Sequence, residues 1–221
     1  MTSLLSFPTL AGTVLLTIAT LLPIVNPLAG APIYLAMTTG LPDAERPRLA
    51  YSVALNCFVL LVASMLIGVY VLDFFGVSIP AVQVAGGVVV CSFSWSLLNG
   101  NAIPKISGKH DIETLEQRAF YPLTMPLTVG PGSISVAVTL GANLPDHLHP
   151  LLQTVIAHCI GVAITVGIIY LCYRYAQNVL DRLGAAGSNV VMRLSAFILL
   201  AIGTQIIWNG LRGLIETLKL G

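Results

Sequence analysis

Pro23-Ile24-Val25-Asn26-Pro27-Leu28-Ala29-Gly30-Ala31-Pro32 is echoed ninety-nine residues later by Pro122-Leu123-Thr124-Met125-Pro126-Leu127-Thr128-Val129-Gly130-Pro131. Pro23, Pro27, Leu28 and Pro32 match Pro122, Pro126, Leu127 and Pro131 without a gap, so the spacing P-x3-P-L-x3-P occurs twice. Similar punctuation follows each copy. Leu41-Pro42-Asp43 answers to Leu144-Pro145-Asp146, and Asn99-Gly100 answers to Asn209-Gly210, each pair expected to close its half. The chain therefore reads as one domain, 1–221, made of a first repeat over 8–100, a connecting loop over 101–118 and a second repeat over 119–212.

The surroundings of both copies are apolar. Of 221 residues 56% are hydrophobic and 9% charged, and mean hydropathy is +0.90, which places the chain in lipid. The first charged side chain is Asp43, and further uncharged runs cover 49–72, 74–104, 119–145, 147–173 and 194–211. A membrane-spanning helix needs about 20 apolar residues. The runs predict an all-α bundle of six spans, three in each half. Because three is odd, the second half enters the membrane from the opposite side, giving an inverted repeat of the kind found in secondary transporters. No loop is long enough to form a soluble domain. The amino terminus has no positive region followed by a small-residue cleavage site, so the first hydrophobic segment is expected to remain.

Six spans place Arg46, Arg48, Lys105, Lys109, Arg118, Arg174 and Arg182 in loops on one side, seven of the ten cations. Short loops rich in Lys and Arg mark the cytoplasmic face, so both termini are expected outside. A net charge of +1 offers no basic face to a nucleic acid. Cys57, Cys91, Cys159 and Cys172 have no metal-ligand spacing and read as small buried apolar groups.

The first 42 residues, uncharged throughout, would form a helix of roughly 60 Å, about twice the hydrocarbon thickness. This segment must break, tilt or re-enter, and Asn26-Pro27 with Gly30-Ala31-Pro32 supplies the break. Val129-Gly130-Pro131-Gly132 is its counterpart in the second half. A proline inside a helix leaves the carbonyl four residues earlier without its amide partner. The carbonyls of Pro23, Leu28, Pro122 and Leu127 are thereby freed as matched acceptors. Such groups are tolerated at membrane depth only against protein or a water-filled cavity. The half-helix after each break also presents amides and a positive dipole end suited to a carboxylate. Asn26, Thr124, Thr128, Ser133 and Ser135 add side-chain donors and acceptors. The residues expected to bind solute are Asn26, Pro27, Gly30, Thr124, Pro126, Thr128, Gly130 and Gly132.

The other polar groups in the spans are Asn56, Gln83, His158, Arg193, Gln205 and Asn209, none in a catalytic constellation. No Ser-His-Asp set, HExxH or phosphate-binding GK[ST] occurs, so no enzyme and no cofactor are expected. Without an intramembrane carboxylate, coupling falls to cations on carbonyls, to His158, or is absent. Gly86-Gly87 reads as a helix-packing surface, and Arg193 as a snorkelling group at the membrane edge.

Ile24-Val25-Asn26-Pro27-Leu28, Phe75-Gly76-Val77-Ser78-Ile79-Pro80, Ala85-Gly86-Gly87 and Pro122-Leu123-Thr124-Met125-Pro126 leading into Gly130-Pro131-Gly132 resemble the MarC family of bacterial inner-membrane proteins, also grouped as neutral amino acid transporters. The resemblance spans both halves. It implies a six-span bundle in the inner membrane and neutral amino acids such as glycine or alanine as substrates. The family pattern has an arginine before Ala-Gly-Gly, where this chain has Gln83; the repeat partner, Arg193, is kept. The reading is a transporter or exporter of small neutral solutes, working by rocking of one half against the other. Its partners are the solute and membrane lipid, and assembly of several copies is left open. The rival readings are a passive channel and a non-transporting accessory protein.

Overall fold

The computed structural model describes residues 10–38, 41–42, 44–99, 119–145 and 147–219, and among them every regular element is helical. The expected connecting loop, 101–118, and Gly100 lie outside the described residues.

Helix α1, Leu10–Val25, buries Thr13, Thr17, Leu21 and Val25, one face repeating every four residues. It stops at Asn26, which is left-handed (φ 45°, ψ 62°), a conformation that asparagine tolerates better than most side chains. Helix α2, Pro27–Met37, starts at once, with Pro27 in the first turn, where a missing amide removes no helical bond. Pro32 lies inside α2, so the expected break at Gly30-Ala31-Pro32 does not occur and the chain turns only at Asn26.

Helix α3, Arg46–Phe74, is followed by Gly76 at positive φ (66°) and by Ser78, whose hydroxyl accepts from the Ala81 amide to cap α4, Ile79–Leu98. The Phe75–Pro80 motif is thus a turn and a helix start. The second proline segment is wound differently from the first. Its opening part, α5 (Ala119–Thr128), is a π-type segment with extended residues at Tyr121 (φ −123°, ψ 127°) and Met125 (φ −119°, ψ 125°). Each precedes a proline, and the proline ring pushes the preceding residue out of the helical region. Met125 stands ninety-nine residues after Asn26, so the two halves break at matching positions. After Gly130 comes α6, Pro131–Ala142.

Helix α7, Leu148–Arg174, is separated only by Tyr175 from α8, Ala176–Lys219, which is interrupted at Gly184 (φ 65°, ψ 174°). This corrects two expectations. Between Arg174 and Arg182 only Tyr175 is outside a helix, so no loop runs there, and Asn209-Gly210 does not end the last helix, which continues to Lys219.

Among the described residues, five stretches are long and apolar enough to cross a membrane: Leu10–Leu35, Arg46–Phe74, Ile79–Leu98, Leu148–Arg174 and Asn189–Glu216. The segment expected to make the remaining crossing is divided between α5 and α6, each too short alone. The outward surface is apolar, with Leu15, Val59, Tyr70, Phe74, Trp95 and Trp208 exposed, as a lipid-facing surface requires. Buried hydroxyls return to their own helices: Thr17 donates to the Thr13 carbonyl (2.8 Å) and Thr165 to that of Gly161 (2.9 Å).

Packing follows an exchange between the halves. Helix α4 lies along α8, α3 along α7, the α1–α2 segment against α7 and α8, and the α5–α6 segment against α3 and α4. Glycines set the approach. A Cβ on Gly87 would stand 2.6 Å from Ile207 Cγ1, and one on Gly203 would stand 2.8 Å from Cys91 Sγ. Gly86 meets Ser135 and Pro131 on the other side of α4, so the Gly86-Gly87 pair is a packing surface between α6 and α8.

Candidate functional site

The two proline segments meet at a cavity of about 80 Å³. Asn26, Ala29 and Gly30 from the first segment and Leu127, Thr128, Gly130, Gly132 and Ser133 from the second line it, with Val89, Val90, Phe93 and Leu97 of α4 and Leu199 of α8. A single water needs roughly 10–15 Å³ on this scale, so the cavity holds on the order of five to eight water-sized groups.

Asn26 works in two directions. Its Oδ1 accepts from the Ala29 amide (3.3 Å), capping α2, and its Nδ2 donates to the Ser195 carbonyl of α8 (3.4 Å). At the facing end, α6 begins at Pro131 behind the extended Gly130, and Ile134 is the amide that donates to the Gly130 carbonyl (3.1 Å). The amides of Gly132 and Ser133 belong to the first turn, ahead of the helical ladder. Two helix amino-terminal ends therefore border one small space, each carrying partial positive charge.

Behind Gly30 and Thr128 stand two tyrosines that do not themselves line the cavity. Tyr34 of α2 and Tyr173 of α7 stack with centroids 4.6 Å apart and planes 13° apart, both nearly inaccessible. The Thr128 hydroxyl donates to the Leu123 carbonyl (2.7 Å), which commits its proton, so Tyr173 Oη donates to Thr128 Oγ1 (2.8 Å). A Cβ on Gly30 would lie 2.6 Å from Tyr173 Oη, so glycine leaves the space that the phenol uses. Tyr34 Oη donates to the Arg46 carbonyl (2.7 Å), tying the tyrosine pair to the start of α3.

Of the expected residues, Asn26, Gly30, Thr128, Gly130 and Gly132 line the cavity. Pro27 is buried beside it in the first turn of α2 and does not line it. Thr124 is fully buried away from the cavity, donating to the Ala119 carbonyl five residues back (2.6 Å), and so serves the π-type winding. The side chain of Pro126 lies outside the described residues. Ser133 lines the space with its hydroxyl turned back to the Gly130 carbonyl (2.9 Å), while Ser135 packs against Gly86 instead. His158 does not line the cavity. It is buried between α7 and α1, with Nδ1 2.7 Å from Thr17 Oγ1. Arg193 is exposed. The α4 wall and the two tyrosines were missed. Their side chains are apolar or aromatic like dozens of others, and only the close approach allowed by Gly86-Gly87 hinted that α4 comes near.

The model of the MarC family of integral membrane proteins matches residues 11–215. A UPF0056 membrane protein of Methanocaldococcus jannaschii is 33% identical over 202 residues, covering 90% of this chain and 96% of that one. The membrane protein YvbG of Bacillus subtilis is 30% identical over 197 residues (87% and 91%), and the inner membrane protein MarC of Salmonella typhimurium is 28% identical over 215 residues (91% and 95%). No solved structure matches. With matching breaks in both halves, an apolar outer surface and a family model covering almost its whole length, this integral membrane protein belongs to the MarC family.

Proposed function

We propose that the chain is a carrier of small neutral solutes, neutral amino acids in the first place, and that the cavity between the two proline segments is its binding site. The observation that carries this reading is that the two proline segments, which match at an offset of ninety-nine residues, both line one small cavity. Broken helices at a repeat interface are how many secondary transporters hold their substrates. Two helix amino-terminal ends favour a carboxylate by about 0.3–1 kcal/mol each when exposed, and up to about 2 kcal/mol when partly buried. The apolar α4 wall suits a short aliphatic side chain, and the volume limits the solute to a few heavy atoms.

In this reading α5 and α6 together make the remaining crossing, so that six spans form two inverted repeats with both termini on the outer side of the inner membrane. The exchanged packing of the two broken segments supports it, because interchanging the halves turns the one set of neighbours, α7 and α8, into the other, α3 and α4. Neither enzymatic activity nor a cofactor belongs to the proposal.

The test is counterflow of labelled glycine, L-alanine and L-serine in proteoliposomes. Saturable counterflow is expected. Gly132→Ala places a methyl group against Val90 and is expected to lower the rate at least about tenfold, with Val90→Ala in the same chain restoring it. Linear, non-saturating flux would indicate a channel, and absence of flux from folded protein would remove the carrier reading.

A further inference from the structure

A second and larger space, about 320 Å³, adjoins the first, and Ile24 stands in the walls of both. Its polar lining is Thr20 of α1, Gln83 of α4, Thr139 of α6, and Gln205 and Asn209 of α8, with no charged residue among the lining groups. Gln83 Nε2 donates to Thr139 Oγ1 (3.0 Å), and Gln205 Nε2 donates to Asn209 Oδ1 (3.0 Å). Each amide is thus half used. Among the described residues, the other ends of Gln83, Gln205 and Asn209 take part in no hydrogen bond.

Inside a membrane, polar groups without partners cost several kcal/mol each in hydrocarbon. Three half-used amides from two helices around one hollow are stable there when water or a polar solute completes them. The hollow is bordered by the last turns of α1, the start of α4, the second half of α6 and residues 202–209 of α8, whereas the stacked tyrosines belong to the last turns of α2 and α7.

We propose that this space is a hydrated entry site for a neutral zwitterionic solute, which the half-used amides hold before it passes Ile24 into the central cavity. The entry site rests on the carrier reading. Amides donate and accept without net charge, so they pair with an ammonium and a carboxylate together and offer nothing to an ion of one sign.

The experiment uses full-length protein with Cys57, Cys91, Cys159 and Cys172 replaced by alanine. Asn209→Cys or Gln205→Cys is added, and Val59→Cys serves as the control on the apolar outer surface. Reconstituted protein is exposed on both faces to a charged methanethiosulfonate reagent, with and without glycine, L-alanine or L-serine. Asn209→Cys and Gln205→Cys are expected to react at least about tenfold faster than Val59→Cys, and at least one of the three solutes to slow that reaction saturably, about threefold or more. Reaction no faster than the control, or fast reaction that no solute slows, would overturn the entry site. Counterflow of the unsubstituted chain is read separately. Counterflow without protection sinks the entry site alone, and protection without counterflow leaves a binding site while the carrier reading falls.

Discussion

Asn26 shows how much depends on one backbone angle. A left-handed conformation disfavours most side chains by about 1–2 kcal/mol, and loss of an amino-terminal cap adds typically ~1 kcal/mol, whereas glycine in a cap loses only a few tenths. Asn26→Ala meets both penalties and Asn26→Gly keeps the angle. For a chain of this size 1 kcal/mol shifts Tm by roughly 2–4 °C. Thermal unfolding in detergent is therefore expected to show Asn26→Ala lowered by about 4–12 °C and Asn26→Gly by only about 1–2 °C. Equal losses in both would mean that the angle at residue 26 carries no strain. The sequence made the break legible, because a proline directly after a polar residue, deep in a long uncharged run, forces the helix to yield near that point. It did not make legible which half of Asn26–Pro32 turns, since Pro32 is equally forbidding in isolation and α2 accommodates it. The tyrosine pair was hidden for a different reason. Tyr34 and Tyr173 are 139 positions apart, and stacking between them leaves no local pattern.

Within α5, two threonines that look alike in sequence do different work. Both hydroxyls donate five residues back, to the carbonyls of Ala119 and Leu123, yet only Thr128 reaches the cavity. Removing a buried donor while leaving its acceptor in place costs about 1–3 kcal/mol. Thr124→Val is expected to lower Tm by several degrees while leaving the KM of counterflow within about twofold of the parent. Thr128→Val also removes the acceptor of Tyr173 and is expected to raise KM at least about fivefold. A KM change at Thr124→Val equal to that at Thr128→Val would refute this division of labour. Sequence spacing pointed to both residues because in an ordinary helix both flank the break on neighbouring turns. A π-type winding moves successive side chains to different faces, and nothing but the extended Tyr121 and Met125 reveals it.

Across the whole molecule, the charges distinguish the two ends. Arg46 and Arg48 at the start of α3, Arg174 at the end of α7 and Arg193 near the start of the last crossing lie at one end. At the other end Arg212 is paired with Glu216 (2.9 Å), so its charge is largely compensated locally. Short loops rich in cations stay in the cytoplasm because translocating them across the membrane is unfavourable. In the proposed orientation the stacked tyrosines stand toward the cytoplasm and the amide-lined hollow toward the outside. Phe75, 70% exposed in the turn between α3 and α4, is then external, and Arg48 internal. In intact cells Phe75→Cys is expected to react with a membrane-impermeant maleimide, while Arg48→Cys reacts only after permeabilisation. The opposite pattern would invert the orientation and turn the hollow into a cytoplasmic entrance, leaving the packing of the two halves untouched. Labelling of both positions from one side would be more damaging. Each residue sits at an opposite end of the single helix α3, so that result would mean α3 does not cross, and the exchange of broken segments between the halves would lose the membrane frame that gives it meaning.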